Sequence, residues 1–379
     1  MTRKLAAIAL ASLLATSVAH AQTFKPTQPE GYFFVGGKFE TINNRVLMTG
    51  QMYVEYRAPK KIKHRYPVVM VHGTAQTGSN FTGTPDGRAG WAQHFVDQGF
   101  AVYIVDQVGR GRSGDNPDAY GAYTRFPATA LEERFTGTEN FKLWPQAKLH
   151  TQWPGGPGIR GNAAFDQFYA SQVAYIASAG KTEEVMTPAM IALLQKVGPS
   201  ILLTHSQASV FGFAMSDQKP DLVKAHIAVE PNGPPFFDVV FKGGDTWWET
   251  SGKERARAHG VTRLPLAFEP AVKAPEDLQV VQEDKARSDG HIRCWLQAEP
   301  VRKLPNIAKV PTVVVTGEAS FRATYDDCTT AFLTQAGVKT DRIALGEISI
   351  RGNGHMMMLE KNNRDIAQAM IKWIRQRIR

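Results

Sequence analysis

Pro199-Ser-Ile-Leu-Leu-Thr-His-Ser-Gln-Ala-Ser-Val-Phe-Gly-Phe213 is the stretch on which the fold turns. Its apolar run Ile201-Leu202-Leu203, bounded by Pro199 and by small or polar residues, has the pattern of a central strand buried on both faces of a parallel sheet. Ala208 and Ser209 are small enough to let a helix start close against that sheet. Ser206 is then pushed out on a sharp strand-to-helix bend, where its hydroxyl is exposed and the next backbone N–H faces a reacting oxygen. The G-x-S-x-G usual at such a bend is here Thr204-His205-Ser206-Gln207-Ala208, without either glycine. A serine ahead of a helix also serves as an ordinary N-cap, so Ser206 needs support from the rest of the chain.

The neighbouring segments supply a sheet for it. Tyr66–Val71 and Phe100–Val105 are apolar runs separated by a helical pattern at Arg88–Gln98, the strand–helix–strand alternation of a parallel sheet. After Ser206 come a strand at Lys224–Val229, another at Pro311–Glu318, a helix near Thr324–Gln335, a strand at Arg342–Ile350 and an amphipathic helix at Asn363–Ile378. Upstream, Gly31–Val35 and Gly50–Tyr56 read as strands joined through Gly36-Gly37 and a polar stretch, an antiparallel entry to the sheet. The fold class is therefore α/β, a mostly parallel central sheet with helices on both faces. Two stretches break the alternation, at about 115–197 and 237–309. The first is rich in aromatics and Pro/Gly, with helical patterns at Ala163–Ala179 and Thr187–Val197. The second holds Trp247-Trp248 and a charged helical pattern near Glu276–Arg287. Both are too long for connections and too aromatic for linkers, so they read as cap-like insertions in one domain over residues 22–379.

Residues 1–21 differ in kind. Arg3 and Lys4 precede an uncharged apolar run, Leu5–Leu14, and Ala19-His20-Ala21 is a small-x-small cleavage site. They are expected to be a signal peptide that sends the chain to the periplasm or outside the cell, and no other stretch is apolar enough to span a bilayer. Removing them lowers the formal net charge from +9 to +7 by loss of Arg3 and Lys4. The basic runs at Lys60–Arg65 and Lys372–Arg379 carry no base-reading motif, so they read as solvated edges and no nucleic-acid partner is expected. Gly109-Arg-Gly111-Arg-Ser-Gly114 fits G-x-G-x-x-G, but Asp115-Asn-Pro-Asp follows where a helix should open, so a surface loop is expected in place of a dinucleotide site. No metal-ligand spacing occurs among the ten histidines, and neither metal nor cofactor is expected. Cys294 and Cys328, the only cysteines, are an even pair suited to an oxidising compartment, though sequence does not show that their backbones meet. A homodimer is left open.

Ser206 follows one strand, Glu230 the next and His355 the last, at the edge where open α/β sheets bind ligands, in the chain order Ser, acid, His. A hydroxyl is a poor nucleophile until an imidazole takes its proton, and the imidazole needs a carboxylate to fix its tautomer and stabilise its cation. His355, in a glycine-flanked loop after the last strand, is the candidate base. Glu230 and Glu318 both sit at strand ends, and the residues alone leave the acid open between them. For an oxyanion, the backbone N–H of Gln207 and that of Thr74, in the loop His72-Gly73-Thr74, are the candidate donors, with His72 supporting that loop. Trp144, Trp153, Trp247 and Trp248 are candidates for an apolar acyl or alcohol pocket, with aromatic core packing the equal alternative.

With these residues assembled, the chain resembles the α/β-hydrolase fold superfamily, and within it a branch of exported bacterial serine esterases related to lipases and carboxylesterases. The resemblance rests on His72-Gly73, Thr84–Arg88 with Gly90-Trp91, Asp106-Gln107 with Gly109–Ser113, His205-Ser206-Gln207, Val229-Glu230-Pro231, and Gly352–Met358 with Asn362-Asn363. In that branch the acid is a Glu after the sixth strand, which implies Glu230. The branch also implies a cofactor-free carboxylesterase that cleaves small-molecule esters through an acyl-enzyme. The same machinery would serve a thioesterase, an amidase or a lyase, and a non-catalytic binding protein on a hydrolase scaffold is the alternative of a different kind.

Overall fold

Short valine-, isoleucine- and leucine-rich runs, each broken by Gly, Pro or a polar residue, form one eight-stranded sheet. The computed structural model describes residue 24 and residues 26–378; the expected signal peptide at 1–21 lies outside them. The strands are β1 (Glu30–Ile42), β2 (Arg45–Arg57), β3 (Val68–Val71), β4 (Val102–Asp106), β5 (Ser200–His205), β6 (Val223–Val229), β7 (Thr312–Thr316) and β8 (Thr340–Ala344). Their order across the sheet is β1-β2-β4-β3-β5-β6-β7-β8. The β1–β2 and β2–β4 pairs are antiparallel, and every pair from β4 to β8 is parallel.

Parallel neighbours require crossovers, and helices supply them. The helices that matter here are α1 (Trp91–Asp97), α2 (Ala163–Ala170), α3 (Ala179–Val197), α4 (Ser209–Gln218), α5 (Asp326–Gln335) and α6 (Asn363–Arg377). Alternate residues of the central strands serve opposite faces. Val68, Met70, Val102, Ile104, Ile201 and Leu203 pack with Trp91 and Phe95 of α1, Phe332 of α5 and Trp373 of α6. Val69, Val71, Tyr103, Val105 and Leu202 pack with Met190 and Leu193 of α3 and with Val210 and Phe211 of α4. Each such side chain, fully buried, stabilises the fold by about 1.5–3 kcal/mol. The central strands therefore read as largely apolar runs with most polar groups at the strand ends; His226, buried in the middle of β6, bonds Thr204 Oγ1 at 2.8 Å.

Several elements differ from the expectation. Gly36 and Gly37 do not end β1; both take positive φ while the pairing with β2 keeps a single register, and the strand runs on to a tight turn at Asn43-Asn44, where both residues have positive φ (50° and 58°). The helical pattern near Glu276–Arg287 gives a single 3₁₀ turn at Pro275–Asp277 and a short strand at Val280–Gln282. Its charges have no apolar stripe to bury, and Glu283–Arg287 is left as a surface ion pair. The pattern at 163–179 stops at Ala170, and α3 starts early, at Ala179, capped by Ser178. Cys294 and Cys328 are joined in a disulfide, with Cα atoms 5.1 Å apart.

Candidate active site

The polar strand ends converge above β5. Ser206 follows β5 with φ 55°, a left-handed conformation that costs a non-glycine residue about 1–3 kcal/mol and marks a functional bend. The elbow has no glycine of its own, and the loop after the neighbouring strand β3 approaches it closely. A Cβ on Gly73, after β3, would lie 3.0 Å from Ser206 Cβ and 3.1 Å from His205 Nδ1. Glycine is required at that facing position.

His355 Nε2 lies 3.1 Å from Ser206 Oγ, and its Nδ1 lies 2.9 Å from Glu230 Oε2. Glu230 also accepts the Gly317 N–H at 2.6 Å and the Ser320 hydroxyl. Three donors thus converge on one fully buried carboxylate, which satisfies its ionised, accept-only form. Burial, with repulsion from Asp326, nevertheless pushes the Glu230 carboxyl above its ordinary value, and the Ser320 and Gly317 donors oppose that push. Burial, with the neighbouring His205 and the cations Arg322 and Arg134, holds His355 well below the usual histidine range. The imidazole is therefore neutral at pH 7, the form that accepts a proton. Its ring is packed by Phe135, Phe321 and His205, with centroids 4.7, 4.8 and 4.6 Å away.

Glu318 does not reach the imidazole. It accepts Arg351 Nη1 at 2.5 Å and the Gly352 N–H at 2.8 Å, and so clasps the loop that carries His355. The same loop is held from inside by Glu360, which is fully buried and accepts the Gly354 N–H at 2.9 Å and Asn353 Nδ2 at 2.6 Å. Glu360 is in turn bridged by His150 (2.8 Å) to Glu139 (2.9 Å). His205 Nε2 donates to the His355 carbonyl at 3.0 Å and ties the elbow to the loop.

Thr74 and Gln207 both line the cleft beside Ser206. Among the described residues neither backbone N–H is taken up by a carbonyl or side chain. The loop between them is braced by Arg110, fully enclosed, whose guanidinium donates to the Gly73 carbonyl at 3.0 Å and to Gln207 Oε1 at 2.8 Å. This is what the Gly109–Gly114 motif builds: Gly109 and Gly111 take positive φ, a 3₁₀ turn covers Gly111–Ser113, and the loop aims Arg110 inward. His72 accepts the Gln107 N–H at 3.0 Å and donates to the Gly73 carbonyl, and so supports the Thr74 loop.

The cleft encloses about 90 Å³, and its aromatic walls are Phe126, Phe135 and Phe321. The tryptophans do not line it. Trp144 and Trp153 are buried in the core, and Trp247 and Trp248 pack on each other and on Phe241 and Trp295. Arg134, Ser320, Arg322 and Asn232 belong to the site's surroundings without any pattern in the sequence to mark them, whereas Arg110 lies in the Gly109–Gly114 motif. Arginine in a polar stretch reads as solvated, and only the fold turns these side chains inward.

A model of the alpha/beta hydrolase family matches residues 68–369. A protein named "Probable secreted lipase phiG", from Fungal sp. (strain ATCC 74256), is 43% identical over 344 residues, which cover 90% of this chain and 88% of that protein. A solved structure, that of a novel bacterial esterase, superposes with a TM-score of 0.59 at 22% identity, covering 94% of this chain and 99% of its own.

Proposed function

The chain belongs to the alpha/beta hydrolase family, and we propose that it is an exported serine esterase that cleaves carboxylic esters through an acyl-enzyme. The observation that carries this reading is the continuous chain Ser206 Oγ–His355–Glu230, with two hydrogen bonds of 3.1 and 2.9 Å, opening onto a cleft. Relatives named as a secreted lipase and an esterase support ester chemistry.

In this mechanism Ser206 Oγ attacks the ester carbonyl carbon while its proton passes to His355 Nε2. The carbonyl π pair moves onto oxygen, where the N–H groups of Thr74 and Gln207 receive it. Glu230 holds Nδ1–H and stabilises the imidazolium. As the tetrahedral species collapses, the bond to the alcohol oxygen breaks and His355 returns its proton to that oxygen. Water then repeats the cycle on the acyl-enzyme, its proton passing through His355, and releases the carboxylic acid and free Ser206. The oxyanion donors supply the largest stabilisation, since removing one such donor costs about 10²–10³ in turnover. No cofactor takes part. The insertion at 115–197, which brings Phe126, Arg134 and Phe135 to the cleft, acts as its cap, and the segment at 1–21 directs export.

A fluorophosphonate probe should label the mature protein at Ser206, and Ser206→Ala should abolish labelling. Because the cleft is far smaller than the ~300 Å³ and more of ordinary ligand pockets, kcat/KM should peak for short acyl chains and fall beyond them. An unlabelled native protein that hydrolyses no ester would sink the reading.

A further inference from the structure

Two guanidinium groups share the small cleft at Ser206, and neither has an acidic partner. Arg322 is 6% exposed; it donates to the Gly233 carbonyl at 3.2 Å and to the Tyr325 hydroxyl, and its Nη2 lies 3.5 Å from Ser206 Oγ. Its Nε has no partner. Arg134 sits on a single π-turn, Glu132–Thr136, closed by the Gly137 N–H to the Glu132 carbonyl, the kind of irregularity that clusters at functional sites. Among the described residues it makes no hydrogen bond or ion pair; it lines the cleft and its side chain is exposed to solvent. Both guanidinium carbons lie over the ring of Phe321, at 4.7 Å for Arg134 and 4.8 Å for Arg322.

A buried guanidinium without an acidic contact, as Arg322 is, is costly, and the second cation at the mouth of the same cleft adds repulsion unless something neutralises both. The nearby carboxylates are committed elsewhere. Glu230 serves His355, Asp326 accepts from Thr316 Oγ1 at 2.7 Å, and Asp238 is ion-paired with Arg257 at 2.7 Å. Asp238 and Glu133 add attraction to Arg134, and Asp326 to Arg322, without a contact. A face of Phe321 offsets such a charge only in part. The missing element is an anion, and the position beside the nucleophile means that it arrives on the substrate.

We infer that the enzyme's preferred substrates are small esters bearing a carboxylate a short chain away from the scissile carbonyl, such as monoesters of dicarboxylic acids, with that carboxylate held between Arg134 and Arg322. This rests on the esterase reading for its chemistry but not for its binding. Arginine is the side chain suited to the task, because its planar fork matches a carboxylate.

The test separates the two. Ser206→Ala, which binds without turnover, is titrated calorimetrically with monomethyl succinate and with methyl pentanoate, its uncharged counterpart. The succinate monoester should bind about 10- to 100-fold more tightly, the range of a charge-assisted hydrogen bond. Adding Arg134→Gln should abolish that preference, and Arg134→Lys in its place should restore part of it, which excludes a folding defect as the cause. Equal binding of the two esters, or a preference that survives Arg134→Gln, overturns the inference. Hydrolysis of the same pair by the native enzyme is then compared. Turnover of both esters without preference overturns the inference and leaves the esterase reading intact. Preferential binding without hydrolysis of either ester supports the anion site and overturns the esterase reading.

Discussion

At the scale of single residues, the site turns on which of two strand-end glutamates faces the imidazole. Glu230 is buried and bonded to His355 Nδ1, whereas Glu318 faces Arg351 and Gly352. Glu230→Gln replaces an acceptor-only carboxylate by an amide that cannot stabilise imidazolium, so kcat should fall by about 10³-fold or more. Glu318→Gln loosens a loop without touching the ring and should cost about tenfold, the scale of positioning partners. Steady-state kinetics of both variants checks this, and a reversed ranking would show that the acid has been misassigned. The difference between the two residues was illegible in the sequence. Both follow an apolar run, and the distinction depends on the Gly317 N–H reaching sideways from the end of β7 to the end of β6. Ser206 and His355 are the candidates that strand ends and chain order single out, and the fold places them 3.1 Å apart. The arginines were not legible, since nothing local tells a buried guanidinium from the many other basic side chains that face water.

At the scale of elements, the loop bearing His355 is held by a charge relay from the 115–197 segment, Glu139–His150–Glu360. Burial disfavours the charged form of His150, but its hydrogen bonds to Glu139 and Glu360 outweigh this and raise its pKa to about 9. Its pKa unfolded is about 6.5. A group whose pKa rises on folding contributes fully below the unfolded value, and its contribution is lost as pH climbs through the folded one. Thermal stability should therefore decline between about pH 6.5 and 9, by an amount on the order of 3 kcal/mol. His150→Gln should be less stable at pH 6 and nearly flat across that window; a native-like slope in the variant would show that other groups carry it. Such a clasp leaves no periodic trace, because its members are 11 and 210 residues apart. What periodicity does record is burial. It therefore located β3 to β7 and α6, and it misjudged the elements set by backbone geometry: the glycine pair within β1, the Asn43-Asn44 turn and the charged stretch at 276–287.

At the scale of the whole molecule, the segment between β6 and β7 is secured to the sheet by a covalent link as well as by packing. The Cys294–Cys328 disulfide closes a 34-residue span from that segment to α5. Beside it, the Ile292 N–H donates to the Thr324 carbonyl at 3.0 Å. The turn leading into α5 carries Ser320, which bonds Glu230, and Arg322, which faces Ser206. The same staple that anchors the 237–309 segment therefore braces two residues around the nucleophile. In the loop-entropy account, closing a span of this length stabilises the fold by about 3–4 kcal/mol. Cys294→Ser/Cys328→Ser should lower the urea midpoint by a corresponding amount. It should also lower kcat/KM under conditions where the fold remains intact, because the Ser320–Thr324 turn loses its tether. Reductant should reproduce both effects in the native protein and neither in the double variant. A variant with lowered stability but unchanged kcat/KM would confine the disulfide to the fold and detach it from the site.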